Sequence, residues 1–333
     1  MKIAGITYSP ACHLLRVTTG EAVEGWSPGI EPAAAQTVIE VFEPLLTGRP
    51  VWERDRLWRQ CREAARTAGL TPASWGSVDI ALWDLFAKAQ GLPLFRAIGG
   101  FRDRVPAVAR GKRGASTEDH IQAAVAARDS GLFGYITHAT PEADLVDALP
   151  ALREAVGNEF RLLYDGGQYF ELEQALAVGR ALERIDAHWF AEPLCNGDVT
   201  GLQKLSDSFD IPIVAGTFMG DSILAGTRAL TSRGVDRLRA TIPQGGGITD
   251  ALKLARGAEA LQMNCEIDWS AATGPHAAAH LLGAIRNAEF FAADGPEAGV
   301  TGFHPLPVVD GELVLPLEPG LGLRPVEPTQ LTD

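Results

Sequence analysis

A chain of 333 residues with 46% hydrophobic and 21% charged residues can bury a large core, either as two domains or as one α/β barrel with additions. Its 29 basic residues against 42 acidic ones leave a formal charge of -13, which opposes binding to nucleic acid or to an anionic membrane surface. No stretch approaches the ~18 consecutive apolar residues of a membrane span.

The opening segment carries Thr7, Tyr8, Ser9 and Pro10 where a secretion signal needs an apolar run, so it reads as a first strand. Residues 14–17 and 22–26 are short apolar runs joined by Thr18-Thr19-Gly20-Glu21, the pattern of a β-hairpin. Helical stretches follow at 31–46 and 52–68. A third helix is marked by Val78, Ala81, Leu82 and Leu85 at i, i+3, i+4 and i+7, and is stopped by Gly91 and Pro93. The four cysteines, Cys12, Cys61, Cys195 and Cys265, have neither CxxC spacing nor the density of a disulfide scaffold, so a reducing, cytoplasmic setting is expected.

Beyond residue 104 the texture changes to short apolar strands alternating with helices. Strands are expected at 105–109, 135–137, 161–164, 188–191, 211–215, 238–240 and 261–267, which predicts a parallel sheet. Ser116 with Asp119 has the spacing of a capping box for the first intervening helix, which ends near Gly131. The polar residues closing successive strands, His138, Asp165, Glu192, Thr217, Thr241 and Asp268, follow one another at intervals of 27, 27, 25, 24 and 27. One βα unit of a closed barrel needs about that much chain, so all six fall on one rim, the rim where barrel enzymes keep their chemistry. An open doubly wound sheet would carry a Gly-rich phosphate turn after its first strand, and Arg110-Gly111-Lys112-Arg113-Gly114 is not one.

Several motifs are more specific. The segment 77–100 reads Ser-Val-Asp-Ile-Ala-Leu-Trp-Asp-Leu-Phe-Ala-Lys-Ala-Gln-Gly-Leu-Pro-Leu-Phe-Arg-Ala-Ile-Gly-Gly. Further on come Tyr164-Asp165-Gly-Gly-Gln168, Trp189-Phe-Ala-Glu192-Pro193, Ile211-Pro-Ile-Val-Ala-Gly216, Gly246-Gly-Ile-Thr249 and Glu318-Pro-Gly-Leu-Gly-Leu323. In this order they resemble the enolase superfamily, in its mandelate racemase and muconate lactonizing branch, over essentially the whole chain.

The resemblance implies an α+β capping domain (1–103), a modified TIM barrel of (β/α)7β form (104–300) and a C-terminal segment returning to the cap (301–333), in a homo-oligomer. It also implies a Mg2+ held by carboxylates at the ends of the third, fourth and fifth strands. That ion grips the carboxylate of a small acid while a Lys or His removes the neighbouring proton. Asp165 and Glu192 fall on the first two ligand positions, and Thr217 stands on the third in place of Glu. Asp221, four residues on, either supplies the missing oxygen or caps the next helix. The second strand ends in Ile136-Thr137-His138, leaving His138 at the catalytic position without the usual Lys before it. The positions of the family's Asp-His dyad hold Thr241 and Asp268, the latter after Cys265-Glu266-Ile267.

The expected function is therefore a divergent racemase or dehydratase, a lyase or isomerase acting next to the carboxylate of a small acid. His138 is the candidate acid/base with Asp268 opposite; Arg110, Lys112 and Thr241 are the candidate substrate ligands; Asp165, Glu192 and Thr217 are the candidate metal ligands. Each residue has a plainer alternative. His138 fits equally as a neutral, hydrogen-bonded imidazole, Asp268 as the partner of Arg110, Lys112 or Arg239, and the two basic residues as surface charge. Gly245-Gly246-Gly247 fits either an anion-binding nest or a tight turn. His276 and His280, separated by three alanines, read as helix packing. Two rival functions stand beside the first: a barrel retained for ligand binding or scaffolding, and a metal-independent enzyme in which Asp165 and Glu192 meet an Arg or a cationic substrate. The short loop from Tyr8 to His13 predicts an open mouth.

Overall fold

The N-terminal segment forms a three-stranded antiparallel meander, β1 (Ile3–Ser9), β2 (Leu14–Thr19) and β3 (Gly25–Pro28), with β2 in the middle. The hairpin expected over 14–26 is thus displaced. β2 pairs Leu14 with Pro28 and Val17 with Gly25, so the connection runs through 20–24 and β3 starts three residues later than the apolar run. Three helices follow: α1 (Pro32–Leu46), with Pro32 in its first turn, α2 (Arg54–Thr67) and α3 (Pro72–Ala89). This computed structural model describes residues 1–139, 145–195, 198–216, 222–242, 244–270, 274–294, 297–300 and 302–327.

Helix α3 is apolar on nearly every face because it is buried on nearly every face. Val78, Ala81, Leu82 and Leu85 join Phe42, Leu57 and Trp75 in the core of the N-terminal unit, whereas Ile80, Trp83 and Ala87 join the core shared with the barrel. A short helix, α4 (Leu94–Ala97), leads out of it.

The barrel runs β4 (Arg104–Arg110), α5 (Thr117–Asp129), β5 (Gly134–His138), α6 (Leu149–Val156), β6 (Arg161–Asp165), α7 (Leu172–Arg184), β7 (Trp189–Ala191), α8 (Val199–Ser206), β8 (Ile213–Ala215), α9 (Ser222–Ser232), β9 (Arg237–Ile242), α10 (Ile248–Ala260), β10 (Asn264–Trp269), α11 (His276–Ala284) and β11 (Phe291–Ala293). Strands β4 to β10 pair in parallel with their chain neighbours, and β11 pairs in parallel with β4. Between β10 and β11 the closure is made by the Trp269 indole, whose Nε1 donates to the Ala292 carbonyl at 2.9 Å. A helix lies between each strand and the next, which is the (β/α)7β arrangement.

The expected capping box of α5 is present: Ser116 Oγ accepts from Asp119 N at 3.1 Å, and Asp119 Oδ2 accepts from Ser116 N at 3.2 Å. The last strand expected from sequence begins at Asn264 rather than 261, because α10 continues through Ala260 and Leu261 is its C-cap. Inside the barrel, Val108, Ile136, Leu163, Trp189, Ala191, Val214 and Phe290 form a separate apolar cluster. Since strand side chains alternate, the residues two positions further along β4, β5 and β6, namely Arg110, His138 and Asp165, point to the same interior one level higher.

The chain end forms an antiparallel meander, β12 (Glu297–Ala298), β13 (Leu306–Val309) and β14 (Glu312–Val314), and β14 pairs with the start of β4. The tail then reaches α3 and α4: Leu94 N donates to Gly320 O at 2.8 Å and Leu321 N to Asp84 Oδ1 at 2.7 Å. His276 and His280 are both buried in α11, where His280 Nδ1 accepts from Phe95 N at 3.1 Å and the two rings stack. Among the described residues no helix is long and apolar enough to cross a membrane.

Candidate active site

At the C-terminal ends of the barrel strands lies a cavity of about 810 Å³, within the range of small-molecule sites. Arg110, Lys112, His138, Asp165, Glu192, Thr241 and Asp268 all line it; Thr217 and Asp221 lie outside the described residues. Parallel register explains the gathering. His138 is paired with Asp165 across β5 and β6, Asp165 with Ala191 immediately before Glu192, and Thr241 with Asp268 across β9 and β10. Every described lining residue comes from the barrel and none from the N-terminal unit, in keeping with the open mouth expected from the short loop at 8–13.

The centre of the site is a residue the sequence offered only as a possible partner for Asp268. Arg239 sits two positions before Thr241 on β9, hence on the same inward face, and is only 6% exposed. Its Nη1 donates to Asp165 Oδ2 at 2.8 Å and lies 4.0 Å from Glu192 Oε1, while its guanidinium carbon lies 5.4 Å from the centre of the Trp189 ring. Burial alone would push the Asp165 carboxyl up. The guanidinium, the nearby His138 and the Gly167 N–H, which donates to Oδ1 at 2.9 Å, outweigh burial and hold it below the usual carboxylate range. Arg239 is shifted the other way: burial opposes its charge, but Asp165, Asp268 and Glu192 more than compensate.

Glu192 is 2% exposed and takes a left-handed backbone conformation, φ 45°, uncommon for a residue with a side chain. Two short backbone bonds hold it there, Glu192 N to Val214 O and Gln168 N to Glu192 O, both 2.7 Å. Gln168, itself at φ 65°, also donates Nε2 to Glu192 Oε2 at 3.2 Å. The motif Asp165-Gly-Gly-Gln168 therefore builds one turn whose side chains and amides serve the two acids.

His138 is 8% exposed, and its Nδ1 has no hydrogen-bond partner among the described residues. Burial pushes the imidazole down to about 4; Arg113, Arg110 and Arg239 act in the same direction and Asp165 opposes them. It is neutral at physiological pH and able to accept a proton. Of the alternatives left open for Asp268, the structure selects Arg110, whose Nη2 donates to Asp268 Oδ1 while Nη1 lies 3.3 Å from Asp294 Oδ1. Arg110 is thus committed to two carboxylates, whereas Lys112 and its neighbour Arg113 are exposed at the rim without an ion pair among the described residues. Thr241 Oγ1 and Trp189 Nε1 are buried polar atoms with no partner among the described residues. One level below, Arg237 joins Glu266 at 3.1 Å and Glu289 at 2.7 Å, closing the barrel floor with an ion network.

The triple glycine turns out to be a tight turn occupied from within the chain. Gly247, at φ 92°, caps α10, and the carboxylate of Asp79 on α3 accepts from Thr249 N at 2.7 Å and from Thr249 Oγ1 at 2.6 Å. A Cβ on Gly247 would lie 2.7 Å from Asp79 Oδ2, so only glycine fits. This clamp explains two of the motifs at once, the Asp of the 77–100 segment and the Gly-Gly-Ile-Thr run.

The site is poorly suited to the expected divalent ion. Mg2+ demands open carboxylate oxygens in octahedral geometry, but Arg239 already donates to Asp165 and the Gln168 amide to Glu192. Among the described residues no three His, Cys, Asp or Glu side chains converge as a metal site.

Comparison with known proteins agrees with the geometry. Residues 2–99 match the mandelate racemase / muconate lactonizing enzyme N-terminal domain, and residues 120–329 match the enolase C-terminal domain-like family. L-talarate/galactarate dehydratase of Salmonella typhimurium is 31% identical over 191 residues, 56% of this chain and 48% of that protein, so the chain spans about half that relative's length. A D-galactonate dehydratase family member of Streptomyces bingchenggensis is 28% identical over 305 residues, 79% of this chain and 72% of that one. The solved structure of D-glucarate dehydratase from Agrobacterium tumefaciens, complexed with magnesium, superposes with a TM-score of 0.82 at 28% identity, covering 97% of this chain and 93% of that one.

Proposed function

The chain belongs to the mandelate racemase / muconate lactonizing enzyme branch of the enolase superfamily, and from that premise we propose that it acts on a small polyhydroxylated carboxylic acid by proton transfer next to the carboxylate. The matching relatives are dehydratases and cycloisomerases of sugar acids, which supports a lyase or isomerase reaction. The observation carrying the proposal is the convergence of His138, Asp165, Glu192, Arg239, Thr241 and Asp268 on one cavity at the strand ends.

In this reading residues 1–103 cap the barrel of 104–300, and 301–333 ties the two together. His138 is the base that takes the proton from the carbon bearing the carboxylate, since its neutral imidazole lines the cavity at a strand end. Asp268, on a strand across the mouth, is the second proton-transfer group, and Arg110 acts by holding it in place. Lys112 and Thr241 bind the substrate, with the exposed Arg113 beside Lys112 adding positive charge at the entrance. For dehydration, the carbon–hydrogen bond breaks toward His138, the neighbouring hydroxyl leaves as water with one added proton, and the resulting enol becomes a 2-keto-3-deoxy acid. Magnesium, expected from the resemblance, is not carried into this proposal because Arg239 and Gln168 already engage the two acids.

Incubating the protein with a panel of hexarates and aldonates, and trapping 2-keto acids as semicarbazones, tests the proposal. A keto acid from at least one substrate, abolished in His138→Asn, is expected; a panel giving no product and no proton exchange would remove it.

A further inference from the structure

We propose that Arg239 is the resident cation of this active site, taking the place a divalent metal holds between two strand-end carboxylates and meeting the negative charge that develops on the substrate carboxylate. The inference rests on the reading above for its substrate but not for its electrostatics. Asp165 and Glu192 are 6% and 2% exposed, and two acids so buried at adjacent strand ends need a countercharge. The chain supplies one in the Arg239 side chain. Arg239 is anchored in the middle of β9, its Nη1 is 2.8 Å from Asp165 Oδ2 and 4.0 Å from Glu192 Oε1, and the guanidinium lies near the Trp189 ring. The side chain still borders the cavity, so it is available to a ligand as well as to the acids.

A metal bound to the same Asp165 oxygen at ~2.1 Å would stand no more than about 5 Å from Nη1, given the 2.8 Å contact. At an effective dielectric of about 20, repulsion between a double and a single positive charge at ~5 Å lowers affinity by roughly four to five orders of magnitude. Charge counting points the same way. Two carboxylates and one guanidinium leave the inner set at one negative charge, whereas at the rim Arg110, Lys112 and Arg113 outnumber Asp268 and Asp294 by one positive charge. An anionic substrate is therefore drawn in by the rim and met inside by a fixed planar donor, which presents N–H groups to a carboxylate in matched geometry.

The test uses the full chain stripped with a chelator. Mn2+ is titrated by electron paramagnetic resonance, and exchange of the proton next to the carboxylate is followed in D2O on the sugar-acid panel with chelator present. Wild type is expected to bind no Mn2+ below ~1 mM, where two-carboxylate sites of ordinary affinity fill. Arg239→Gln should bind Mn2+ at least about tenfold more tightly, and the added Asp165→Asn change should abolish that gain. Exchange by wild type should survive the chelator, fall by about a thousandfold in Arg239→Gln and recover in part in Arg239→Lys. Mn2+ binding by wild type below ~1 mM, exchange that needs added Mg2+, or a folded Arg239→Gln protein no better at binding metal than wild type would overturn the inference. The first two outcomes leave the sugar-acid reading intact. Conversely, absence of exchange on every acid, together with the metal behaviour expected here, removes the sugar-acid reading and supports Arg239 as the cation.

Discussion

Replacing Arg239 with Met keeps most of the side-chain length and removes only the charge and its hydrogen bonds. Asp165 and Glu192 then remain buried side by side with no guanidinium between them. Removing one partner of a buried ion pair costs about 3–5 kcal/mol, because the group left behind keeps its desolvation penalty. For 333 residues, ~2.1 cal/mol/K of unfolding entropy per residue gives about 0.7 kcal/mol per degree, so the melting temperature should fall by about 4–7 °C at pH 7. The pH dependence follows from the sign of each shift. In wild type Asp165 is held below its ordinary value, so its stabilisation is present at neutral pH and is lost as pH falls through its folded value. In the variant the two acids lack a countercharge, one of them is raised, and stability decreases as pH rises through that raised value. Between pH 7 and pH 5 the second effect operates and narrows the gap between variant and wild type, and the first adds to it only below about pH 4. Calorimetric melts at pH 7 and pH 5 measure it, and Arg239→Met with Asp165→Asn should recover part of the loss. A variant melting within about 1 °C of wild type at pH 7, or a gap that widens toward pH 5, would refute the assignment of Arg239 as countercharge.

His138, pushed down to about 4, should place the acid limb of the rate profile near pH 4 rather than near 6.5, and a limb at the ordinary imidazole value would show that another group is titrating. The same residue makes the fold acid-sensitive. An unfolded His takes up a proton below about 6.5 while the folded one stays neutral to about 4, so up to ~3 kcal/mol is lost over that interval. His138→Asn should flatten that part of the stability profile in urea titrations run between pH 7 and pH 4. At the junction between cap and barrel, Asp79→Ala leaves Thr249 N and Oγ1 without their acceptor and should cost about 2–4 kcal/mol. An unchanged urea midpoint would show that the clamp does not hold α3 to α10.

Much of this architecture was legible in the sequence because it rests on local rules. Alternating strands with polar ends about 25 residues apart fix a barrel rim, and the capping pair Ser116 and Asp119 fixes the start of α5. What escaped was set by pairing at a distance. β11 is three residues long and exists because it pairs with β4 nearly two hundred positions earlier, so no periodicity announces it. The three strands of the meander were expected, but the bounds of β3 were set by its register against β2, Leu14 with Pro28 and Val17 with Gly25, which the apolar run at 22–26 does not show.

The candidate site divides along the same line. Every described residue singled out at the strand ends lines the cavity, since alternation along a strand decides which way a side chain points. Partnership does not follow from alternation. Arg110 looked available for an anionic substrate until Asp268 and Asp294 were found against it. Arg239 lay in plain view two positions before Thr241, on the same inward face. Its meeting with Asp165 depends on the curvature of a closed barrel, which brings β9 within reach of β6 across the interior. Gly245-Gly246-Gly247 likewise suited an anion nest, but the run is a tight turn against which Asp79 packs, and the Asp79 carboxylate is held by Thr249 beyond it.

Carbon-acid chemistry at the barrel mouth, with His138 as the base, leaves an isotopic record. The direct measurement is deuterium incorporation next to the carboxylate of sugar acids in D2O, followed by proton NMR for wild type and His138→Asn with chelator present throughout. Wild type should give incorporation, or deuterated 2-keto-3-deoxy product, and the variant a loss of at least about a thousandfold. Incorporation that persists undiminished in His138→Asn would contradict it.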